Sequence, residues 1–252
     1  MTVAVKSYLP QVLLDEGLQN DIARETEVLS ALRSPNIVTF YGQAVDEKQV
    51  LVVMEFVPFG SLGSLIKKES LPIEFKIRMA QDVAAGINFL HMNRIIHRDL
   101  KPDNVLVASL DPKATVCGKL TDFGTSRFLG GNANKTKTKG QGTPIYMAPE
   151  VLASEKYNEK ADIYSFGMLV WALFTQQEPY KDFENQFVIY RFVESGNRLP
   201  LPNINEMPRF IQEVVQGSWA QDQTQRPSMD AIVEMLKSPT KVRSSMPSEF
   251  TH

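Results

Sequence analysis

Residues 97–104 read His-Arg-Asp-Leu-Lys-Pro-Asp-Asn, then comes the apolar run Val105-Leu106-Val107, and beyond it Asp122-Phe123-Gly124. No other part of the sequence constrains the fold as much. The β-branched run reads as a short strand, and it separates two groups of polar side chains that carry no apolar payload of their own. Asp99, Lys101 and Asn104 lie before it and Asp122 after it. A lone Asp in a loop is usually a turn former. Here the carboxylate belongs to a long polar motif, and a second carboxylate follows at a workable spacing with the apolar strand between them.

The rest of the chain reads as alternating strands and helices around that loop. Val3-Ala4-Val5-Lys6 is a strand, and residues 15–32 form a helix with Ile22, Val28, Leu29 and Leu32 on one side. Ser34-Pro35-Asn36 stops it. Ile37–Tyr41 and Gln49–Phe56 read as two strands joined by Asp46-Glu47-Lys48, and Pro58-Phe59-Gly60 marks a hinge. Residues 72–92 carry a helical period, and residues 160–175 are apolar nearly all round, as in a buried helix. Shorter helices are expected near 185–195, 208–217 and 228–237. Residues 238–252 are polar, aperiodic and expected to be a disordered tail.

Composition excludes several function classes. The chain has 252 residues, 43% of them apolar, with a formal net charge of −2, so nothing argues for nucleic-acid or membrane-surface binding. Cys117 is the only cysteine, so no internal disulfide forms. No run of about 18 apolar residues occurs, and the first residues do not resemble a signal peptide. The reading is cytoplasmic, either as such or as the intracellular part of a longer protein.

A carboxylate that can orient a hydroxyl, an ammonium beside it and two oxygen ligands for a hard cation are the parts that phosphoryl transfer requires. The octet at 97–104 and Asp122-Phe123-Gly124 resemble the catalytic loop and metal-binding motif of protein kinases. The resemblance covers about residues 3–237. Asp162-Ile-Tyr-Ser-Phe-Gly167, Trp171, Gly217-Ser-Trp-Ala220 and Gln225-Arg-Pro-Ser228 look like the tyrosine-kinase-like group of serine/threonine kinases. It implies an α+β, two-lobed fold with a truncated small β-rich lobe and a large, mainly helical one. Residues 1–57 would be a partial N-lobe and 58–237 the C-lobe.

The resemblance also implies roles. Asp99 would orient the substrate hydroxyl, with Lys101 beside the transferring phosphoryl group and Thr143 shaping the substrate shelf. Asn104 and Asp122 would hold Mg2+. Lys6 would bind the α- and β-phosphates of ATP, with Glu25 as its helix partner and Glu27 the competing choice. Ala4 and Leu106 would sandwich adenine, and backbone groups of Glu55 and Val57 would hydrogen-bond it. Leu29, Phe40, His97 and Phe123 would stack as a hydrophobic column. Glu150 would pair with Arg226, and Asp162 would hold the catalytic loop's backbone. His91 and His252 have no partner that the sequence suggests, and no function is assigned to them. The expected reaction is transfer of the γ-phosphate of Mg·ATP to serine or threonine hydroxyls of protein substrates in intracellular signalling. Arg98 is placed to dock a phosphate on Thr136 or Thr138, put there by an activating kinase or by self-phosphorylation in trans.

One departure stands out. A glycine-rich loop on two strands ahead of the lysine strand is part of the family pattern, and Lys6 has no such loop before it. The alternative expectation is therefore a catalytically impaired fragment or a pseudokinase-like interaction module that binds ATP weakly and self-associates. Against it, Lys6, Asp99, Asn104 and Asp122 are all retained.

Overall fold

A computed structural model describes residues 2–8, 16–45, 49–128 and 143–237. The chain builds a small lobe around one antiparallel sheet and a large lobe of packed helices. Strands β1 (Val3–Tyr8), β2 (Phe40–Val45) and β3 (Val50–Glu55) assemble in the order β1-β3-β2. Val50 and Val52 alternate inward on β3 and meet Ile22 of helix α1 (Glu16–Ala31), so one face of the sheet is buried against the helix. The register sets Ala4 opposite Met54 and Lys6 opposite Val52. A bulge at Tyr41 shifts the β2–β3 pairing between Phe40 and Gly42.

The large lobe begins with α2 (Leu62–Lys68), a helix that the glycine and prolines around it hide from a sequence reading. Ser61 caps it by accepting the Ser64 N–H, and Lys67 and Lys68 sit in its last turn, where the helix dipole favours cations. Helix α3 (Ile73–Met92) leads into β4 (Ile95–Ile96) and then to the polar loop. That loop ends in a single 3-10 turn, Pro102–Asn104, before β5 (Val105–Val107), which pairs with β6 (Gly118–Leu120). Strand β7 (Arg127–Phe128) pairs back onto β4. Helices α4 (Pro149–Leu152), α5 (Lys160–Thr175), α6 (Gln186–Glu194), α7 (Arg209–Ser218) and α8 (Met229–Lys237) complete the lobe. Every residue of α5 from Ala161 to Phe174 is buried, as its all-round apolarity requires.

One expectation about strands needs correction. Ile37, Val38 and Thr39 are not part of the small-lobe sheet, whose strand starts at Phe40. Val38 instead donates its N–H to the Leu120 carbonyl at 2.9 Å, Leu120 donates to Asn36, and Ile37 and Leu120 form a parallel bridge. Ile37 and Val38 are buried where they tie α1 to β6 across the lobes, through a bridge that lies outside the small-lobe sheet. One core cluster consequently runs from Val28 and Leu29 on α1 through α5 to Ile232 and Leu236 on α8. Residues 238–252 lie outside the described part. No helix among the described residues is long and apolar enough to cross a membrane.

Candidate active site

The polar loop is held from below. Asp162, in the first turn of α5 and buried, accepts the backbone N–H of His97 at 2.8 Å and of Arg98 at 2.9 Å. Between them the chain turns with φ +74° at Arg98, a left-handed conformation that an L residue keeps only when its surroundings enforce it. His97 is fully buried and stacks on Phe123 with ring centroids 5.2 Å apart. Its Nε2 lies 3.1 Å from the Thr121 carbonyl, so it is a packing group tied to backbone. Leu29 and Phe123 belong to one buried core cluster, against which Phe40 packs.

Asp99 gathers the other groups of the octet. Its Oδ2 is 2.9 Å from the Lys101 ammonium and accepts from the Asn104 amide at 3.0 Å. Its Oδ1 accepts the Thr143 N–H at 2.9 Å and the Thr143 hydroxyl at 3.2 Å. Lys101 also donates to Thr143 Oγ1 at 2.7 Å, closing a ring of three side chains. Burial pushes the Asp99 carboxyl up, but the hydrogen bond and charge of Lys101, the Thr143 N–H and the Asn104 amide outweigh it and hold it below the usual aspartate value. The carboxylate is therefore ionised at neutral pH. Asn104 spends its Nδ2 on the Asp99 carbonyl as well, at 2.7 Å, so its side-chain oxygen is the end turned to other partners.

Asp122 lies across the strand pair from this ring, with φ +61°. Its Oδ1 is 3.7 Å from Lys6 Nζ on β1, and both side chains are partly exposed, so the contact spans the cleft between the lobes. Glu25 lies on α1, and its side chain is outside the described part; Glu27, the competing choice, is exposed. Ala4 faces Met54 in the register, and Leu106 is centred on β5, opposite Lys119 and bridged to Ser61. Glu55 ends β3 and Val57 is buried just beyond it, in the connection to the large lobe.

Two contacts of the site were not legible in the sequence. The Glu55 side chain turns to Lys119 Nζ at 3.0 Å and the Thr39 N–H at 3.1 Å, joining the hinge to the strand that leads to Asp122. Burial raises the Glu55 carboxyl, and Lys119 and Thr39 more than reverse that, so it sits below the usual glutamate value. His91, which the sequence left without a partner, has its Nε2 3.0 Å from Asp162 Oδ2. The two residues are too far apart along the chain for any local pattern to join them.

The segment after Asp122 returns to the loop through Thr125, whose hydroxyl donates to the His97 carbonyl at 3.0 Å. Arg98 donates to the Thr125 carbonyl at 3.1 Å and lies 5.6 Å over the Tyr157 ring. Thr136 and Thr138 fall outside the described residues. Further on, Glu150 and Arg226 form the expected buried pair, bidentate at 2.6 and 2.8 Å.

Comparison with known proteins agrees with this geometry. The family model described as protein tyrosine and serine/threonine kinase matches residues 1–236. The dual specificity protein kinase shkA of Dictyostelium discoideum is 37% identical over 93% of this chain and 44% of its own length. The serine/threonine-protein kinase CTR1 of Arabidopsis thaliana is 37% identical over 97% of this chain and 29% of its own length. The probable serine/threonine-protein kinase gdt4 of Dictyostelium discoideum is 34% identical, and the chain spans 14% of it. The chain thus covers less than half the length of each of these relatives. It belongs to the protein tyrosine and serine/threonine kinase family, and within it is related to the serine/threonine kinases of the tyrosine-kinase-like group.

Proposed function

We propose that the chain transfers the γ-phosphate of Mg·ATP to serine and threonine hydroxyls of protein substrates. The observation that carries this reading is the Asp99–Lys101–Thr143 ring, with Asn104 on the same carboxylate. Asp99 is ionised and held in place, so it can accept a hydrogen bond from an incoming hydroxyl and take its proton as the oxygen attacks. Lys101 already lies between Asp99 and Thr143 and has ammonium protons to turn toward charge developing on a transferred group. Thr143 fixes the side of the carboxylate from which a substrate chain would approach.

The residues present also fit a nucleotide and a hard cation. Asn104 has its amide nitrogen occupied and its oxygen left, and Asp122 offers a partly exposed carboxylate beside Lys6. Such a sparse all-oxygen set suits Mg2+, which keeps waters and phosphate oxygens among its ligands. When bound, the ion would neutralise phosphate charge. Lys6, with Glu25 as its partner, would hold the phosphates. Ala4 and Leu106 would clamp adenine, and the Glu55 carbonyl and the Val57 backbone would meet its edge, since the Glu55 N–H is taken by the Thr39 carbonyl at 2.8 Å.

Asp99→Ala tests the assignment. In a preparation with measurable phosphotransfer, kcat should fall by about 10³-fold with little change in KM for Mg·ATP, as for a group acting mainly in the transition state. Near-full activity in the variant would refute the role. Phosphoamino-acid analysis of the product should give phosphoserine and phosphothreonine; phosphotyrosine as the main product would refute the substrate class.

A further inference from the structure

Ala4, Lys6 and Tyr8 alternate on the half-buried face of β1, while Val5 and Ser7 are exposed on the other. The register sets Lys6 opposite Val52 and Tyr8 opposite Val50. Tyr8 packs against the cluster that Val50 and Val52 form with Ile22 of α1, so its ring is held by apolar contacts. The Lys6 ammonium lies over that ring, 5.1 Å from the centroid. From the large lobe, Asp122 Oδ1 comes within 3.7 Å of the same ammonium, with both side chains partly exposed. An exposed ion pair of that length fixes a long, flexible side chain only loosely. An aromatic face attracts the ammonium through the ring quadrupole and brings no opposing charge. Lysine has three N–H donors, and a ring beneath the nitrogen leaves donors on the far side for oxygen ligands. A ring fixed by packing can thus place the Lys6 charge without neutralising it.

We propose that Tyr8 is a positioning residue for Lys6: its ring holds the ammonium where nucleotide phosphates would meet it, and so strengthens binding of Mg·ATP. The affinity part of this rests on the reading of Lys6 as a phosphate ligand; the stacking part does not.

The test compares Tyr8→Phe and Tyr8→Leu, each alone and combined with Lys6→Met, in the 252-residue chain. Phenylalanine keeps the ring without the hydroxyl, and leucine keeps apolar packing without the ring. In proton–carbon NMR spectra of the nucleotide-free chain, the Lys6 ε-methylene is assigned by its loss in Lys6→Met. Its protons should be shifted upfield by the ring in wild type and in Tyr8→Phe, and should return to the position of exposed lysines in Tyr8→Leu. By calorimetry, Kd for Mg·ATP should rise about threefold or more in Tyr8→Leu and stay within about twofold in Tyr8→Phe. With Lys6→Met already in place, Tyr8→Leu should have no further effect on Kd. Should Tyr8→Leu fail to fold, Tyr8→Ile, which suits a strand, decides by the same readouts. An unshifted ε-methylene in wild type, or one that keeps its shift in Tyr8→Leu, would overturn the proposal. A Tyr8→Phe variant that binds as weakly as Tyr8→Leu would overturn it too. So would an equal loss with Lys6→Met in place, or an unchanged Kd in Tyr8→Leu where Lys6→Met weakens binding. If the shift behaves as expected but wild type and Lys6→Met take up Mg·ATP alike, the stack stands and the phosphate-ligand reading of Lys6 falls.

Discussion

Arg226 shows how much one side chain can be asked to do. It is 1% exposed, bidentate to Glu150, donates to the Ala220 and Lys160 carbonyls at 2.9 Å, and lies 5.2 Å from the Tyr164 ring. The guanidinium, with four hydrogen bonds, joins the end of the segment after Asp122 to the chain just before α8. Removing only the acid would leave a buried cation short of a partner. Glu150→Ala should therefore cost about 3–5 kcal/mol in urea unfolding. A loss below about 1 kcal/mol would mean that the pair is replaceable by solvent. Asp99 follows the same logic with smaller groups: its charge is tolerated because Lys101, Asn104 and Thr143 surround it. Both pairings were readable as residue types at family positions. His91 with Asp162 and Glu55 with Lys119 were not, because no period or motif links residues that meet only when α3 packs on α5, or the hinge on β6.

At the scale of elements, close approach is the controlling quantity. Helix α3 packs against β6 through Gly86, where a Cβ would lie 2.8 Å from Leu120 Cδ1 and 3.0 Å from the Asn36 carbonyl oxygen. Leu120 and Asn36 also make the backbone bonds that tie α1 to β6. Gly86→Ala should thus destabilise by about 1–3 kcal/mol despite alanine's better helix propensity. Gly42→Ala, where nothing lies within 4 Å, should stay within about 0.5 kcal/mol. Thermal and urea unfolding of the two variants check the contrast; equal effects would mean that α3 can shift without loss. The helices at 73–92 and 160–175 were legible because their apolar patterns are long. Helix α2 was not, because its seven residues follow a Pro-Phe-Gly break and are ordered by the Ser61 cap and by packing. Ile37 and Val38 misled for a related reason: β-branched residues report burial, and burial here comes from β6.

For the molecule as a whole, acid should be the weak side. Asp162, Asp99 and Glu55 are all held below their usual values of 3.8, 3.8 and 4.5, each by donors that outweigh burial. Folded carboxyls with lowered values bind fewer protons than their unfolded counterparts. Their contribution is complete above the usual carboxylate range and is lost as pH falls through the lowered folded values. The urea midpoint should be nearly flat between about pH 7 and pH 5 and fall steeply below about pH 4. Asp162→Asn should be weaker at neutral pH and lose less on acidification. A midpoint that rises with acid would contradict the arrangement.

Spacing along the chain sets the chemistry on offer and most of the framework. Short-range patterns set the long helices, the valine-rich strands and the buried α5, and a contiguous motif delivered Asp99, Lys101 and Asn104 within one loop. Such features are encoded by spacing along the chain, where period and covalent geometry act directly. Tertiary packing settles which charged groups meet which partners: Lys6 with Asp122, His91 with Asp162, Lys119 with Glu55. Those pairings depend on how lobes and helices pack, and packing is driven by non-directional apolar burial that leaves no local mark of which polar groups it will bring into register.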